Sequence, residues 1–181
     1  MLAEDERDRL LVLYRERVDG YGTDGDEFGD RWRSWCRLVL AHGGALVVPP
    51  VTPEPDLDVL LAAAELQGPM VEAPQLGGDC HANVAKLWMD GGIAAIGTGY
   101  ALVRDLWRQH SWGVDADGTV VETKFPAENY LGVTLPAGEA TVGFALNCYD
   151  GDVRTRLQTG GGRTDDIIAV LRASRQRRAG C

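Results

Sequence analysis

The sequence predicts an α+β fold with N-terminal helices, a helix that begins at Cys80 and packs on an antiparallel sheet, and a C-terminal helix. Three observations lead to this prediction. Apolar residues recur at helical spacing through the first third of the chain. The run DADG at 115–118 joins two strand-like segments and is a strong hairpin signal. A glycine linker at 160–162 precedes a helix that is predicted to start near Thr164.

The N-terminal helices follow from amphipathic patterns and their end signals. The apolar positions are Leu10, Leu11, Leu13 and Tyr14 in the first helix and Trp32, Trp35, Leu38 and Leu40 in the second. Gly43 and Gly44 stop the second helix. After a proline-rich connector, Asp56 is predicted to cap a third helix that runs through Leu66.

The rest of the chain mixes one short helix with strands. Asp79 is predicted to cap the helix of Cys80, which Gly91 and Gly92 end. The strand-like segments are 93–103, 110–114, 119–125, 130–135 and 140–149. We expect a single domain over 1–181, with a helical lobe at 1–67 and an α+β core at 68–181.

Charge and cysteine usage exclude several classes of protein. A net charge of −9 disfavours nucleic acid as a partner, because a phosphate surface would repel the molecule as a whole. No apolar run is long enough to cross a bilayer and the acidic N-terminal stretch is unlike a signal peptide, so we expect a cytoplasmic protein without membrane association. The four cysteines are scattered and form no CxxC pair, which argues against a zinc ribbon or a redox pair. We expect no cofactor.

Cys80 has surroundings that favour a reactive thiol. It follows a glycine pair and occupies the first position of its predicted helix, where unpaired N–H groups and the helix dipole favour the thiolate. An imidazole beside it would complete the activation. His42 ends a surface helix, and the side chain of His81 points about 100° away from that of Cys80 around the helix. His110 is therefore the candidate base, although a buried apolar thiol is the commoner role of a cysteine.

The hairpin after His110 supplies a candidate for the third group. In a three-residue turn that ends in a left-handed Gly118, Trp112 opposes Glu122 and both share one face with His110. Glu122 would then be a diagonal neighbour of His110 and could orient its imidazole. A two-residue turn on Asp117 and Gly118 would send His110 to the other face, so the sequence leaves both registers open.

Three further residues complete the candidate site, each with a simpler alternative. Acyl transfer needs donors for the developing oxyanion, and these would be the backbone N–H of Cys80 and the side-chain amide of Gln75. Gln75 is equally well a loop residue that faces water. Asn83 lies one helical turn beyond Cys80 and could contact substrate, or be an ordinary polar helix residue. Trp112 could shield the site or pack in the core.

The order of these residues resembles that of the papain-like and transglutaminase-like cysteine hydrolase superfamily. The stretch HSWGVDADGTVVET is similar to the His-x-Trp strand and acid-bearing strand of the transglutaminase-like branch, although the acid there is more usually aspartate. QLGGDC is similar to the glutamine-before-cysteine element of papain-like enzymes, with the glutamine one residue closer. The resemblance covers about residues 75–135. It implies Cys80 as nucleophile, His110 as base, Glu122 as orienting acid and Gln75 as oxyanion donor.

Two functions from different classes follow. The first is a cysteine-dependent hydrolase or acyltransferase that acts on an amide or ester of a peptide, protein or small molecule through a thioester. The second is a non-catalytic protein- or ligand-binding module on the same scaffold, with the N-terminal helices as partner surface. A zinc site built from Cys80, His81, His110 and Glu122 is disfavoured, because adjacent cysteine and histidine side chains are strained as joint ligands.

Overall fold

A computed structural model of the chain describes residues 3–21, 26–73 and 77–179, and it has the predicted α+β class. The residues group into two compact units. The first comprises Met1–Gln67, Thr98–His110 and Pro126–Val133, and the second comprises Gly68–Gly97, Ser111–Phe125 and Thr134–Cys181.

Helices and strands alternate irregularly along the chain. The helices of the described residues are α1 (Glu4–Gly20), α2 (Asp26–Leu40), α3 (Leu57–Ala63), α4 (Cys80–Asp90), α5 (Glu139–Cys148), α6 (Val153–Thr159) and α7 (Thr164–Ala179). The strands are β1 (Leu46–Val47), β2 (Glu65–Leu66), β3 (Met70–Glu72), β4 (Ala95–Val103), β5 (Leu106–Val114), β6 (Val120–Glu122) and β7 (Asn129–Thr134). None of the described helices combines the length and apolarity needed to span a bilayer.

The sheet is mixed, with strand order β2-β7-β4-β5-β6-β3 and β1 beside β5. The β2–β7 and β5–β6 pairs are antiparallel, as the predicted antiparallel sheet requires. The short strands β1 and β3 instead pair in parallel with β5 and β6. These two parallel pairs join segments far apart in sequence, which a hairpin signal cannot indicate.

The first unit is built on the tryptophans of the apolar face predicted for the second helix, whereas Leu40, which is also predicted to lie on that face, is exposed. Trp32 and Trp35 of α2 are fully buried, and the ring centroid of Trp35 lies 5.4 Å from that of Tyr100 on β4 in an edge-on arrangement. Leu57 and Leu60 of α3 close the same cluster. Large side chains at heptad-like spacing on one face of α2 therefore form the core of this unit.

A buried carboxylate lies beside this core. Glu54 is 6% exposed, and its Oε2 accepts hydrogen bonds from Tyr100 Oη at 3.0 Å and from Gln109 Nε2 at 2.9 Å. Burial raises the pKa of the Glu54 carboxyl above its ordinary value, and the hydrogen bonds from Tyr100 and Gln109 oppose that shift. The folded first unit therefore favours the protonated acid more than the unfolded chain does.

This shift predicts a pH-dependent stability that Glu54→Gln should remove. Because the pKa of Glu54 is higher in the folded chain, its contribution is fully present below the unfolded pKa of about 4.3 and is lost as pH rises through the folded pKa. We expect the unfolding free energy of the variant, measured by urea denaturation from pH 4 to 8, to fall less with rising pH than that of the wild type. Parallel curves for the two proteins would contradict this expectation.

The second unit has its own apolar core between α4, α5 and α7. Its buried members include Val84, Ala85, Trp88, Met89, Ile96, Val142, Ala145 and Ile167.

α4 begins and ends as the sequence predicts. Asp79 Oδ1 accepts a hydrogen bond from Ala82 N at 2.8 Å, and Gly91 ends the helix in the left-handed conformation at φ 79°.

Two predicted elements are wrong. The segment 140–149 forms helix α5 and not a strand, since Thr141, Val142 and Ala145 are buried at helical spacing. Gly138, at φ 102°, precedes that helix. The third predicted helix ends at Ala63, because the next residue adopts extended backbone and the chain then enters β2.

Candidate functional site

Cys80 is the first residue of α4. The helix has 11 residues, and Asp79 caps its amino end through the Ala82 amide. The preceding Gly78 has a φ of 96°, a conformation that favours glycine. The Cys80 side chain is 9% exposed. The thiol therefore lies at the positive end of a capped helix dipole, as the sequence predicts.

The β5–β6 hairpin adopts the three-residue turn. Asp115 N donates to Thr119 O at 2.9 Å, Gly118 N donates to Asp115 O at 3.0 Å, and Gly118 is left-handed at φ 87°. Gly113 pairs with Val121 in this register. One step further along the two strands, Trp112 lies opposite Glu122. The alternative two-residue turn is therefore wrong.

Glu122 is a buried acid with a fixed carboxylate. It is 1% exposed, and its Oε1 accepts hydrogen bonds from the amides of Thr123 at 2.8 Å and Lys124 at 2.7 Å. Its own carbonyl accepts a hydrogen bond from Ala73 N at 2.8 Å, where β3 pairs with β6. The two amides that follow Glu122 and the pairing of its own backbone with β3 therefore fix the position of this carboxylate.

The predicted site residues are distributed over both units. His110 belongs to the first unit, is 6% exposed and has its ring centroid 6.2 Å from that of Tyr130. Cys80, Trp112 and Glu122 belong to the second unit. Trp112 is fully buried there, in agreement with the core role considered for it.

The last two predicted residues lie in or near the loop before Cys80. Asn83 is buried, and a Cβ added at Gly78 would lie 3.4 Å from its Oδ1, so its amide packs on the backbone of that loop. This position is compatible with a structural role and with substrate contact. Gln75 lies outside the described residues.

The structure adds one contact that sequence reasoning missed. His81 Nδ1 and Ser111 Oγ are hydrogen-bonded at 2.8 Å, and the His81 ring lies edge-on to Phe144 with centroids 6.2 Å apart. The bond joins the first turn of α4 to β5. The two residues are 30 positions apart in sequence, and no local pattern indicates that they meet.

The other described thiols are poor nucleophiles. Burial raises the pKa of Cys36 to about 11. Burial also raises the pKa of Cys148, and its electrostatic interactions with Asp79 and Cys80 add to that shift. All three described cysteines are free thiols.

The described residues contain no group of three or more histidine, cysteine, aspartate or glutamate side chains that could hold a metal ion. The groups of the predicted site are the thiol of Cys80 at the start of a helix, the buried imidazole of His110 on a strand and the buried carboxylate of Glu122. Comparison of the chain with protein-family models, with curated proteins and with solved structures found no match.

Proposed function

We propose that the protein is a cysteine-dependent hydrolase or acyltransferase that acts on an amide or ester through a thioester intermediate. The observation that carries the proposal is the position of Cys80 at the amino end of a capped helix. Such a position lowers the free energy of a thiolate relative to a thiol, because the aligned peptide dipoles present positive charge there. Cys36 and Cys148, with their raised pKa values, have no comparable activation.

The reaction begins with attack of Cys80 Sγ on the carbonyl carbon of the substrate. The thiol proton passes to His110, a C–S bond forms, and the carbonyl oxygen takes up negative charge. The Cys80 backbone N–H is the candidate donor to that oxygen. The bond to the leaving amine or alcohol then breaks as His110 gives it the proton, which leaves a thioester. Water or an amine attacks the thioester, releases the acyl group and restores the thiol.

Glu122 is the proposed orienting acid. The assignment depended on a three-residue turn in the hairpin, and the observed hydrogen bonds and Gly118 conformation match that turn. The carboxylate has one oxygen held by two backbone amides, which limits its motion. An acid fixed in this way is suited to hold one tautomer of an imidazole and to stabilise its cation.

The pH dependence of alkylation tests the proposal. In a Cys181→Ser background, we expect iodoacetamide to label Cys80 with an apparent pKa below the ordinary thiol value of about 8.5, because a helix amino end favours the thiolate. Peptide mapping by mass spectrometry separates the sites. Cys36 and Cys148 are internal controls, since burial raises the pKa of both.

The acyl step is tested with p-nitrophenyl acetate. We expect stoichiometric release of p-nitrophenolate and a thioester that maps to Cys80, and neither in Cys80→Ser. An ordinary pKa for Cys80 together with no thioester would contradict the enzymatic proposal and leave the non-catalytic binding module.

A further inference from the structure

A cavity of about 360 Å³ lies in the second unit, away from the thiol. Residues of α4, α5, α7 and the start of β4 line it. Trp88 and Val142 are buried in its floor, and Ala94, Ala137 and Asp166 are exposed at its rim. Trp88 follows Cys80 by eight positions on α4, or about 12 Å along the helix axis. The volume falls in the range of small-molecule sites, about 300–1,000 Å³.

One cationic side chain enters this mostly apolar cavity. Arg163 Nη2 donates to the carbonyls of Ile93 at 3.1 Å and Ala94 at 3.3 Å, and its Cζ lies 5.4 Å from the centroid of the Trp88 ring. These contacts fix the position of the guanidinium at the wall of the cavity. Among the described residues, the buried Nε–H of Arg163 has no acceptor. Arg163 Nη1, which lies 3.6 Å from Asp166 Oδ2, is the group left to donate to a ligand oxygen.

The amino end of α5 faces the same cavity. Gly138 is its N-cap residue and lines the cavity, and no side chain caps the helix. Glu139, in the first turn, is bound elsewhere, since its carboxylate accepts hydrogen bonds from Arg177 at 2.5 Å and Ser174 at 3.1 Å. The helix dipole therefore adds positive potential to the cavity that Arg163 also lines.

We propose that this cavity binds a small monocarboxylate with an apolar body, of the size of octanoate. The carboxylate accepts hydrogen bonds from Arg163, and the apolar chain packs on Trp88, Val142 and Val170. Arg163 Nη1 is a suitable partner for a carboxylate, because a hydrogen bond between two charged groups is about twice as strong as one between neutral groups.

Asp166 is the competitor of this ligand. Its Oδ2 lies 3.6 Å from Arg163 Nη1, which is beyond hydrogen-bond distance, and its side chain is 65% exposed. A bound carboxylate would displace it toward water. We therefore expect that removing the charge of Arg163 weakens binding of a carboxylate and that removing the charge of Asp166 strengthens it. A zwitterionic or a neutral ligand would not show this pair of effects.

Titration with octanoate, followed by calorimetry, tests the proposal. We expect saturable binding, at least 10-fold weaker binding by Arg163→Gln, and several-fold tighter binding by Asp166→Asn. Arg172→Gln changes an exposed arginine on α7, is the matched control and should bind like the wild type. Octanol, which keeps the chain and lacks the carboxylate, should bind at least 10-fold more weakly.

Several results would overturn the proposal. They are no saturable binding by the wild type, unchanged binding by Arg163→Gln, weaker binding by Asp166→Asn, or equal affinity for octanol. Because Arg163→Gln also removes bonds to two backbone carbonyls, Val142→Trp provides a second variant that fills the floor and should abolish binding. Cys80→Ser should retain octanoate affinity, and its loss would contradict a site separate from the thiol.

Discussion

Replacing Glu122 by glutamine is expected to lower the rate at which p-nitrophenyl acetate acylates Cys80 by on the order of 10²–10⁴-fold, while the fold stays intact. In the proposed mechanism the carboxylate stabilises the imidazolium that forms when His110 takes the thiol proton. A glutamine amide has no negative charge, and it can also select the wrong tautomer of the ring. The measurement is the rate of thioester formation over pH 5–9, with circular dichroism as the check of folding.

The matched control is Glu122→Ala, which separates structure from catalysis. Glutamine keeps an oxygen that can accept hydrogen bonds from the Thr123 and Lys124 amides. Alanine has no such oxygen and leaves both amides without this acceptor. Each donor left without an acceptor costs about 1–3 kcal/mol, so Glu122→Ala should lose measurable unfolding free energy and Glu122→Gln should not. A Glu122→Gln protein that is folded and reacts at the wild-type rate would remove this residue from the mechanism.

Replacing Gly99 by alanine is expected to destabilise the first unit on the order of 3–5 kcal/mol. A Cβ at this position would lie 2.4 Å from Leu131 O and 2.6 Å from Gly132 Cα. Both are backbone atoms of β7, so no side-chain rotation can relieve the overlap. The φ of 155° adds strain for any residue with a side chain. This cost is a large part of a typical domain stability of about 5–15 kcal/mol.

Gly143→Ala is the matched control for this prediction. Gly143 lies inside α5, where a Cβ would meet nothing within 4 Å. Alanine is the better helix former by about 0.5–1 kcal/mol, so this variant should be as stable as the wild type or more so. Thermal and urea unfolding of the two variants give the comparison. Equal stability of Gly99→Ala and Gly143→Ala would show that β7 shifts to accommodate the methyl group.

The elements that the sequence predicts well are those with local end signals. α4 has an aspartate cap and a glycine end, and both act as expected. The hairpin turn follows from the conformational freedom of Gly118. Residues 140–149 lack such a signal inside the run, because a short apolar stretch fits the period of a strand and of a buried helix equally well. Tertiary packing against α4 decides in favour of the helix.

For the candidate site, the sequence identified candidate residues but not the residues that contact them from distant parts of the chain. The Asp79 cap and the hairpin register follow from local rules, whereas the His81–Ser111 bond joins two segments 30 residues apart. The parallel pairing of β3 with β6 is likewise non-local, and it involves a strand of only three residues. Such contacts depend on the whole fold, and a single sequence has no pattern that reports them.

The pairing of β3 with β6 also limits how this protein can diverge. The ladder ends where Ala73 N donates to Glu122 O, and the capped helix begins at Cys80. An insertion within 70–73 would shift the strand by one residue and reverse which side chains face each side of the sheet. Selection should therefore reject a change of length within β3, because the register of that strand with β6 would be lost.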